Sequence, residues 1–396
     1  MKTFIKNIIK KCAILVYHVW ATVLPVKNNM IVFESNVGRN YTGNPRAIYE
    51  YMVKNGLDKQ YRLIWILENT DTDIPGNVKK VRRVKVKYFY YMAVAHIWVA
   101  DCRQPMFLKK RDNQVYIQTW HGTPLKKLAL DMEYIDMSGT TDIEKYRANF
   151  KANTSTWDYL ISQNRFSTET FRRCFDFHKE ILEVGYPRND ILFYGNNEEY
   201  ITALKKEMGL PLDKKVILYA PTWRDNQYYK KGVYKFATLM DYDRMMEELA
   251  DEYVMIVKYH YLVKDPMDWS KYKGFVYQFS QEEEISRLYL VSDILITDYS
   301  SVMFDYSLLK RPMFFFAYDL EDYRENLRGF YFDFLNTVPG PVVETNEALL
   351  DELKQYDGSK WQERYQAFAE RYNHADDGNA AKAVCEVISD KIHKRR

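Results

Sequence analysis

Cysteine is scarce in this chain, and none of it sits in a metal-binding or redox pattern. Cys12, Cys102, Cys174 and Cys385 are scattered over 396 residues, with no C-x-x-C pair and no histidine at zinc-finger spacing. Reduced thiols in a cytosolic chain are the expectation. Charge of one sign is lacking as well. The formal net charge is only +3, so no nucleic-acid partner is expected and any basic surface must be local. The uncharged stretch from Cys12 to Pro25 has 14 residues, short of the ~20 that a spanning helix needs. The sequence holds no G-x-x-x-x-G-K-[ST], G-x-S-x-G, H-E-x-x-H or EF-hand loop. Its D-x-D, Asp71-Thr72-Asp73, runs into Ile74-Pro75-Gly76 and so reads as a turn rather than a strand end. A reaction without metal or other cofactor is expected.

What is present points to a folded, mostly helix-and-strand protein. Hydrophobic residues make up 47% of the chain, which excludes wholesale disorder, and its length suits two domains with a short appendage. The appendage is the first 25 residues. Phe4, Ile5, Ile8, Ile9, Cys12, Leu15, Val16, Val19, Trp20 and Val23 recur at helical spacing, flanked by Lys2, Lys6, Lys10 and Lys11. This pattern reads as an amphipathic helix lying on an anionic membrane surface. A helix docked on the protein and a signal peptide are the alternatives. The basic run Lys79, Lys80, Arg82, Arg83, Lys85 and Lys87 reads as a solvated edge strand or a second headgroup contact.

From Met30 onward, short apolar runs alternate with helical patterns. Met30–Phe33, Arg62–Leu67, Ile97–Ala100, Val115–Thr119, Tyr159–Ser162 and Ile181–Val184 read as strands, with helices among them at Pro45–Lys54, Asp142–Ala152 and Ser167–Phe175. After Gly209 and the turn Pro211-Leu212-Asp213 a second such series begins, with strands at Val216–Tyr219, Val254–Tyr259, Ile294–Thr297 and Met313–Phe316. The fold class is therefore α/β, with two Rossmann-type domains facing a cleft. The division expected is a surface helix over 1–25, domains over 26–210 and 211–375, and a C-terminal helix over 376–396.

Ligands in open α/β sheets sit beyond the carboxyl ends of strands, and the chemistry-bearing residues fall there. Gln118-Thr119-Trp120-His121-Gly122-Thr123-Pro124 follows a strand of the first half, with Lys126 just beyond. An imidazole suits removal of a hydroxyl proton near neutral pH, and Gly122 lets the backbone approach a ligand. Ala220-Pro221-Thr222-Trp223-Arg224 follows the first strand of the second half, where Thr222 and Arg224 can reach a phosphate or ribose, or Arg224 can equally pair with Asp225 at the surface. Lys258-Tyr259-His260 ends another strand, and His260 mirrors His121 across the cleft. In Thr297-Asp298-Tyr299-Ser300-Ser301, small hydroxyls open the next helix, either capping it or binding a diphosphate there. Gly185-Tyr186-Pro187-Arg188-Asn189-Asp190 is a candidate to face the cleft, and Arg328-Gly329 either closes over phosphates or is simply surface.

Taken in order, Trp120-His121-Gly122-Thr123, Ala220-Pro221-Thr222-Trp223-Arg224, Lys258-Tyr259-His260, Thr297-Asp298-Tyr299-Ser300-Ser301 and Arg328-Gly329 resemble the CDP-glycerol glycerophosphotransferases, the wall-teichoic-acid primases and polymerases. Asp376-Asp377-Gly378-Asn379 resembles the start of that family's final helix. The resemblance implies a GT-B-like fold and a CDP-glycerol donor. It also implies a polyprenyl-diphosphate-linked acceptor and release of CMP at the cytoplasmic face of the cell membrane. It casts His121 as the base and His260 as stabiliser of the diphosphate or departing CMP. Thr222, Arg224, Lys258, Asp298, Ser300, Ser301 and Arg328 would hold the donor, and Gly122, Thr123, Lys126 and Arg188 would lie on the acceptor side. CDP-ribitol as donor and a GT-B glycosyltransferase remain alternatives, and a second copy of the chain stays open as a partner. The compact length suits a primase, or an enzyme adding one or a few units.

Overall fold

A computed structural model describes residues 2–134, 142–222, 228–230, 233–234, 239–259, 267–320 and 329–394. Within them the strands are β1 (Lys27–Glu34), β2 (Arg62–Leu67), β3 (Val78–Arg82), β4 (Ala95–Ala100), β5 (Val115–Gln118), β6 (Tyr159–Ser162), β7 (Glu180–Glu183) and β8 (Lys215–Tyr219). They continue with β9 (Tyr228–Lys230), β10 (Val233–Tyr234), β11 (Tyr253–Val257), β12 (Val276–Tyr277), β13 (Ile294–Thr297), β14 (Met313–Phe316) and β15 (Val342–Val343). Seven form one sheet in the order β3-β2-β1-β4-β5-β6-β7, and six form another in the order β12-β11-β8-β13-β14-β15. Neighbouring strands in both sheets are parallel, while β9 and β10 make a separate antiparallel hairpin.

Both sheets are buried on two faces, which is why their strands are nearly unbroken apolar runs. In the first sheet Met30, Val32, Ile64 and Ile66 enter one core, while the alternating Ile31, Phe33, Leu63 and Trp65 enter the other. The second sheet divides the same way, with Val216, Leu218, Val254 and Ile256 against Ile217, Tyr219, Met255 and Val257. In each sheet the strand order reverses beside its first strand, between β1 and β4 and between β8 and β13. Those are the topological switch points where such folds leave a crevice.

Two terminal helices complete the first lobe. The helix Lys2–Val23 buries Tyr17, whose hydroxyl donates to the Lys109 carbonyl at 2.8 Å, while Trp20 meets Tyr90 edge-on. Ala13, Ala21 and Leu24 share that docked side. Leu15, Val16, Val19 and Val23 are exposed, so the apolar stripe expected as one face is split between packing and solvent. No helix among the described residues is long and apolar enough to cross a membrane. At the other end, the helix Ala380–His393 returns to the first lobe and packs Val384, Cys385, Ile388 and Ile392 beside Ile48 and Tyr49. Asp190 caps it, its two carboxylate oxygens accepting from the Ala380 and Ala381 amides at 3.0 and 2.8 Å.

Candidate active site

Between the two switch points lies a cleft of about 320 Å³ lined from both lobes, and His121 stands in its wall. The residue before it, Trp120, has a left-handed backbone (φ 51), which costs a non-glycine residue ~1–3 kcal/mol. The surroundings hold it there. The Trp120 amide donates to Gln118 Oε1 at 3.0 Å, and Asn44 Nδ2 donates to the Thr119 and Trp120 carbonyls at 3.2 and 3.1 Å. The Trp120 ring packs on Phe171 and Phe175 and stacks on the His121 ring, with centroids 4.5 Å apart.

His121 Nδ1 lies 3.1 Å from the Asp101 carbonyl oxygen. A carbonyl can only accept, so Nδ1 carries the proton and Nε2 keeps its lone pair. Desolvation by the enclosing walls pushes the imidazole pKa down, to about 4; the Asp101 carbonyl works against this and the Arg188 guanidinium adds to it. The ring is nonetheless solvent-exposed on its cleft side, and water there tempers the push. The ring is thus a neutral base at neutral pH. Beside it, burial raises the Asp101 carboxyl to about 7, against the Asn36 amide that donates to its Oδ1 at 2.9 Å.

The second lobe meets this wall closely. A Cβ on Gly122 would stand 2.7 Å from Ser301 Oγ and 3.1 Å from Ser301 Cβ, so only glycine fits between the lobes here. Lys258 lies opposite, its ammonium donating to the Ser280 carbonyl at 2.7 Å, and burial lowers its pKa. Further contacts join the lobes. The Gly43 amide donates to Glu284 Oε1 at 2.6 Å, Lys127 N–H to the Gly329 carbonyl at 2.8 Å, and Tyr331 N–H to the Leu125 carbonyl at 2.9 Å.

Of the residues singled out by sequence, His121, Arg188, Lys258, Ser300 and Ser301 line one cleft, with Gly122 against Ser301. Others stand behind the walls. Thr123 is buried and donates to Gln163 Oε1 at 2.6 Å, and Lys126 pairs with Phe330 in an antiparallel bridge. Asp298 is buried and accepts the Thr222 amide at 2.9 Å, tying two loops together. Arg188 is not a free cation, since Asp305 pairs with it at 2.5 Å. The helix after Ser301 spans only Val302–Tyr306, so a substantial macrodipole is not available and anion binding there falls to hydroxyls and amides. Arg224, His260 and Arg328 lie outside the described residues.

Sequence reasoning missed the first-lobe wall formed by Asn36, Asn40, Thr42, Asn44 and Asp101. These residues follow β1 and β4, the strands flanking the switch point, so position alone could have found them. Asn36, Val37 and Gly38 turn the chain there with three consecutive positive φ values of 47°, 61° and 80°.

The model of the family described as CDP-Glycerol:Poly(glycerophosphate) glycerophosphotransferase matches residues 16–390. A teichoic acid poly(glycerol phosphate) polymerase of Staphylococcus epidermidis is 48% identical over 93% of this chain, which spans 51% of that protein, about half its length. A teichoic acid glycerol-phosphate transferase of Staphylococcus aureus is 42% identical, over 97% of this chain and 99% of its own. A solved structure of the wall teichoic acid polymerase TagF superposes with a TM-score of 0.91 at 44% identity, covering 99% of this chain and 97% of that one. A TagF variant that superposes equally well was soaked with CDPG. A match over nearly the whole length, with a histidine and two serines meeting in one interlobe cleft, places the chain in the CDP-glycerol:poly(glycerophosphate) glycerophosphotransferase family.

Proposed function

We propose that the chain transfers glycerol phosphate from CDP-glycerol to a hydroxyl of a polyprenyl-diphosphate-linked teichoic acid precursor and releases CMP. The observation that carries this reading is the tautomer of His121. Its Nδ1 proton is committed to the Asp101 carbonyl, which leaves Nε2 free to take a proton. On this reading the acceptor hydroxyl gives its proton to Nε2 and its oxygen bonds to the β-phosphorus. The bond from that phosphorus to the bridging oxygen breaks, and CMP leaves with the electron pair. On the opposite wall Lys258 offsets the diphosphate charge and the Ser300 and Ser301 hydroxyls can donate to its oxygens, which suits a reaction governed by positioning and electrostatics. By the family resemblance, His260 is proposed to stabilise the diphosphate or departing CMP, and Arg224 and Arg328 to bind the donor.

Two parallel sheets that repeat the same strand order support a GT-B-like assignment. The glycerol donor is preferred over ribitol because relatives at 42% and 48% identity are named for glycerol phosphate. A peripheral position at the cytoplasmic face of the membrane is part of the proposal. It rests on the exposed Leu15, Val16, Val19 and Val23 and on the helix Val86–Val94, which packs against the N-terminal helix. Exposed Arg82, Lys85 and Lys87 sit at the base of that second helix, suited to anionic headgroups. No resident metal is invoked, and unchanged turnover in excess chelator checks that part.

The test is incubation with CDP-glycerol and a lipid-linked acceptor analogue, followed by identification of the released nucleotide. CMP is expected. A nucleoside diphosphate released from a nucleotide sugar, with no CMP from any CDP-alditol, would establish a glycosyltransferase instead. His121→Ala should remove turnover and leave donor binding largely intact; only a few-fold loss would show that the base is elsewhere.

A further inference from the structure

Asp305, in the second lobe, is fully buried and lies four residues beyond Ser301 on the helix Val302–Tyr306. Three first-lobe groups converge on its carboxylate. Arg188 Nη2 donates at 2.5 Å, Asn189 Nδ2 at 2.9 Å and Gln163 Nε2 at 3.1 Å. The other arm of the same guanidinium, Arg188 Nη1, donates to the His121 carbonyl at 3.0 Å. The Arg188 amide donates to Asn44 Oδ1 at 3.2 Å, and Asn44 in turn holds the carbonyls of Thr119 and Trp120. Gln163 accepts from Thr123 Oγ1, closing the network on the far side of His121. Every carbonyl from residue 119 to 121 is therefore held by a group that leads back to Arg188.

We propose that Asp305 is a positioning residue for phosphotransfer: through Arg188 it fixes the backbone of His121 relative to Ser300 and Ser301, to which Asp305 is joined within one short segment. The inference rests on the phosphotransfer reading above. The base stands on one lobe and the serines on the other, so the distance between them is set by whatever joins the lobes. Asp305 and Arg188 make that joint beside the reacting groups. The left-handed Trp120 makes the need plain, because a strained residue keeps its conformation only when its surroundings over-determine it. Asp305 touches neither His121 nor the cleft surface, so its action is through Arg188.

The test is Asp305→Asn, which keeps size and removes the charge. With an Asn amide facing three donors, the His121 backbone loses its anchor. A misplacement of about 1 Å in such a site lowers turnover by ~10²-fold. The expected result is a kcat loss of ~10–100-fold with the CDP-glycerol KM changed by less than about three-fold. A pH profile adds a readout that a purely structural role would not move. The charged or titratable groups lining the cleft with His121 are Arg188, Asp101 and Cys102 on its own wall and Lys258, Tyr259, Glu283, Glu284 and Tyr289 opposite. With Asp305 neutral, Arg188 is left uncompensated beside the imidazole, so the acid limb of kcat/KM moves to lower pH. Should Asp305→Asn fail to fold, Arg188→Lys carries the test, because an ammonium keeps the charge for Asp305 but cannot reproduce the two-armed grip. A similar kcat loss at unchanged melting temperature is expected there. Where both variants fold, the double variant should be no slower than the slower single one. A folded Asp305→Asn or Arg188→Lys protein with wild-type kcat overturns the proposal. If the wild-type chain releases no CMP, the phosphotransfer reading itself has failed; if it does and Asp305→Asn matches it, only the positioning role has.

Discussion

Gly122→Ala should slow turnover by forcing the two lobes apart at the cleft. Nothing in its backbone demands glycine, since Gly122 is not left-handed, so the effect is purely one of space. The added carbon would meet Ser301 Oγ at 2.7 Å and Ser301 Cβ at 3.1 Å, whereas carbon contacts relax at about 3.5–4.0 Å. Rotating the serine side chain relieves the first clash and leaves the second. Relief then requires the two walls to part by roughly half an ångström or more. Overpacking of this kind costs ~1–3 kcal/mol of stability. Separation of base from serines by a large part of an ångström should lower kcat by ~10–100-fold. The assay is CMP release with CDP-glycerol and a lipid-linked acceptor analogue, alongside a melting curve. Adding Ser301→Gly removes both clashing atoms and should restore the melting temperature, although the hydroxyl is then missing. A Gly122→Ala protein with wild-type kcat would refute the claim that the lobes meet this tightly.

The pH dependence has a definite sign. His121 must be neutral to act, and its pKa in the free protein is pushed below the usual imidazole value, so the acid limb of kcat/KM should fall well under pH 6.5. A bound diphosphate favours the imidazolium, so the limb of kcat should lie at higher pH than that of kcat/KM; coincident limbs would count against His121 as the titrating group. Leu15→Asp with Val19→Asp should reduce sedimentation with anionic liposomes at unchanged melting temperature; an unaltered bound fraction would remove those residues from membrane contact. Tyr17→Ala, by contrast, deletes a buried ring and should destabilise docking of the N-terminal helix by ~3–5 kcal/mol, read as faster proteolysis within residues 2–23.

The two sheets were legible because buried parallel strands must be apolar on both faces, as Leu63–Leu67 and Ile294–Ile296 are. The edge strand β3 was ambiguous for the complementary reason, since Lys79, Lys80 and Arg82 face solvent or a rim. His121 and Ser301 could be placed at strand ends, but their closeness is a property of how the lobes meet. No local pattern in either half records that. The polar wall of Asn36, Asn40, Asn44 and Asp101 escaped notice because scattered asparagines and a single aspartate make no motif. The N-terminal helix was legible as a helix, but how its apolar residues divide was not. Its apolar residues cover more than one face, and a periodicity count cannot tell the side that meets Tyr90 from the side left bare.

The return of the helix Ala380–His393 to the first lobe bears on how the protein is made. A ribosome delivers β1 to β7 early, yet the helix that covers one face of that sheet emerges about 200 residues later. At ~5–20 residues per second that is a wait of roughly 10–40 s. Throughout it, Ile48, Tyr49 and their neighbours have no lid from Val384, Ile388 and Ile392. The first half to be synthesised is thus the last to be finished, and a nascent chain paused in the second lobe would present an open apolar face to chaperones.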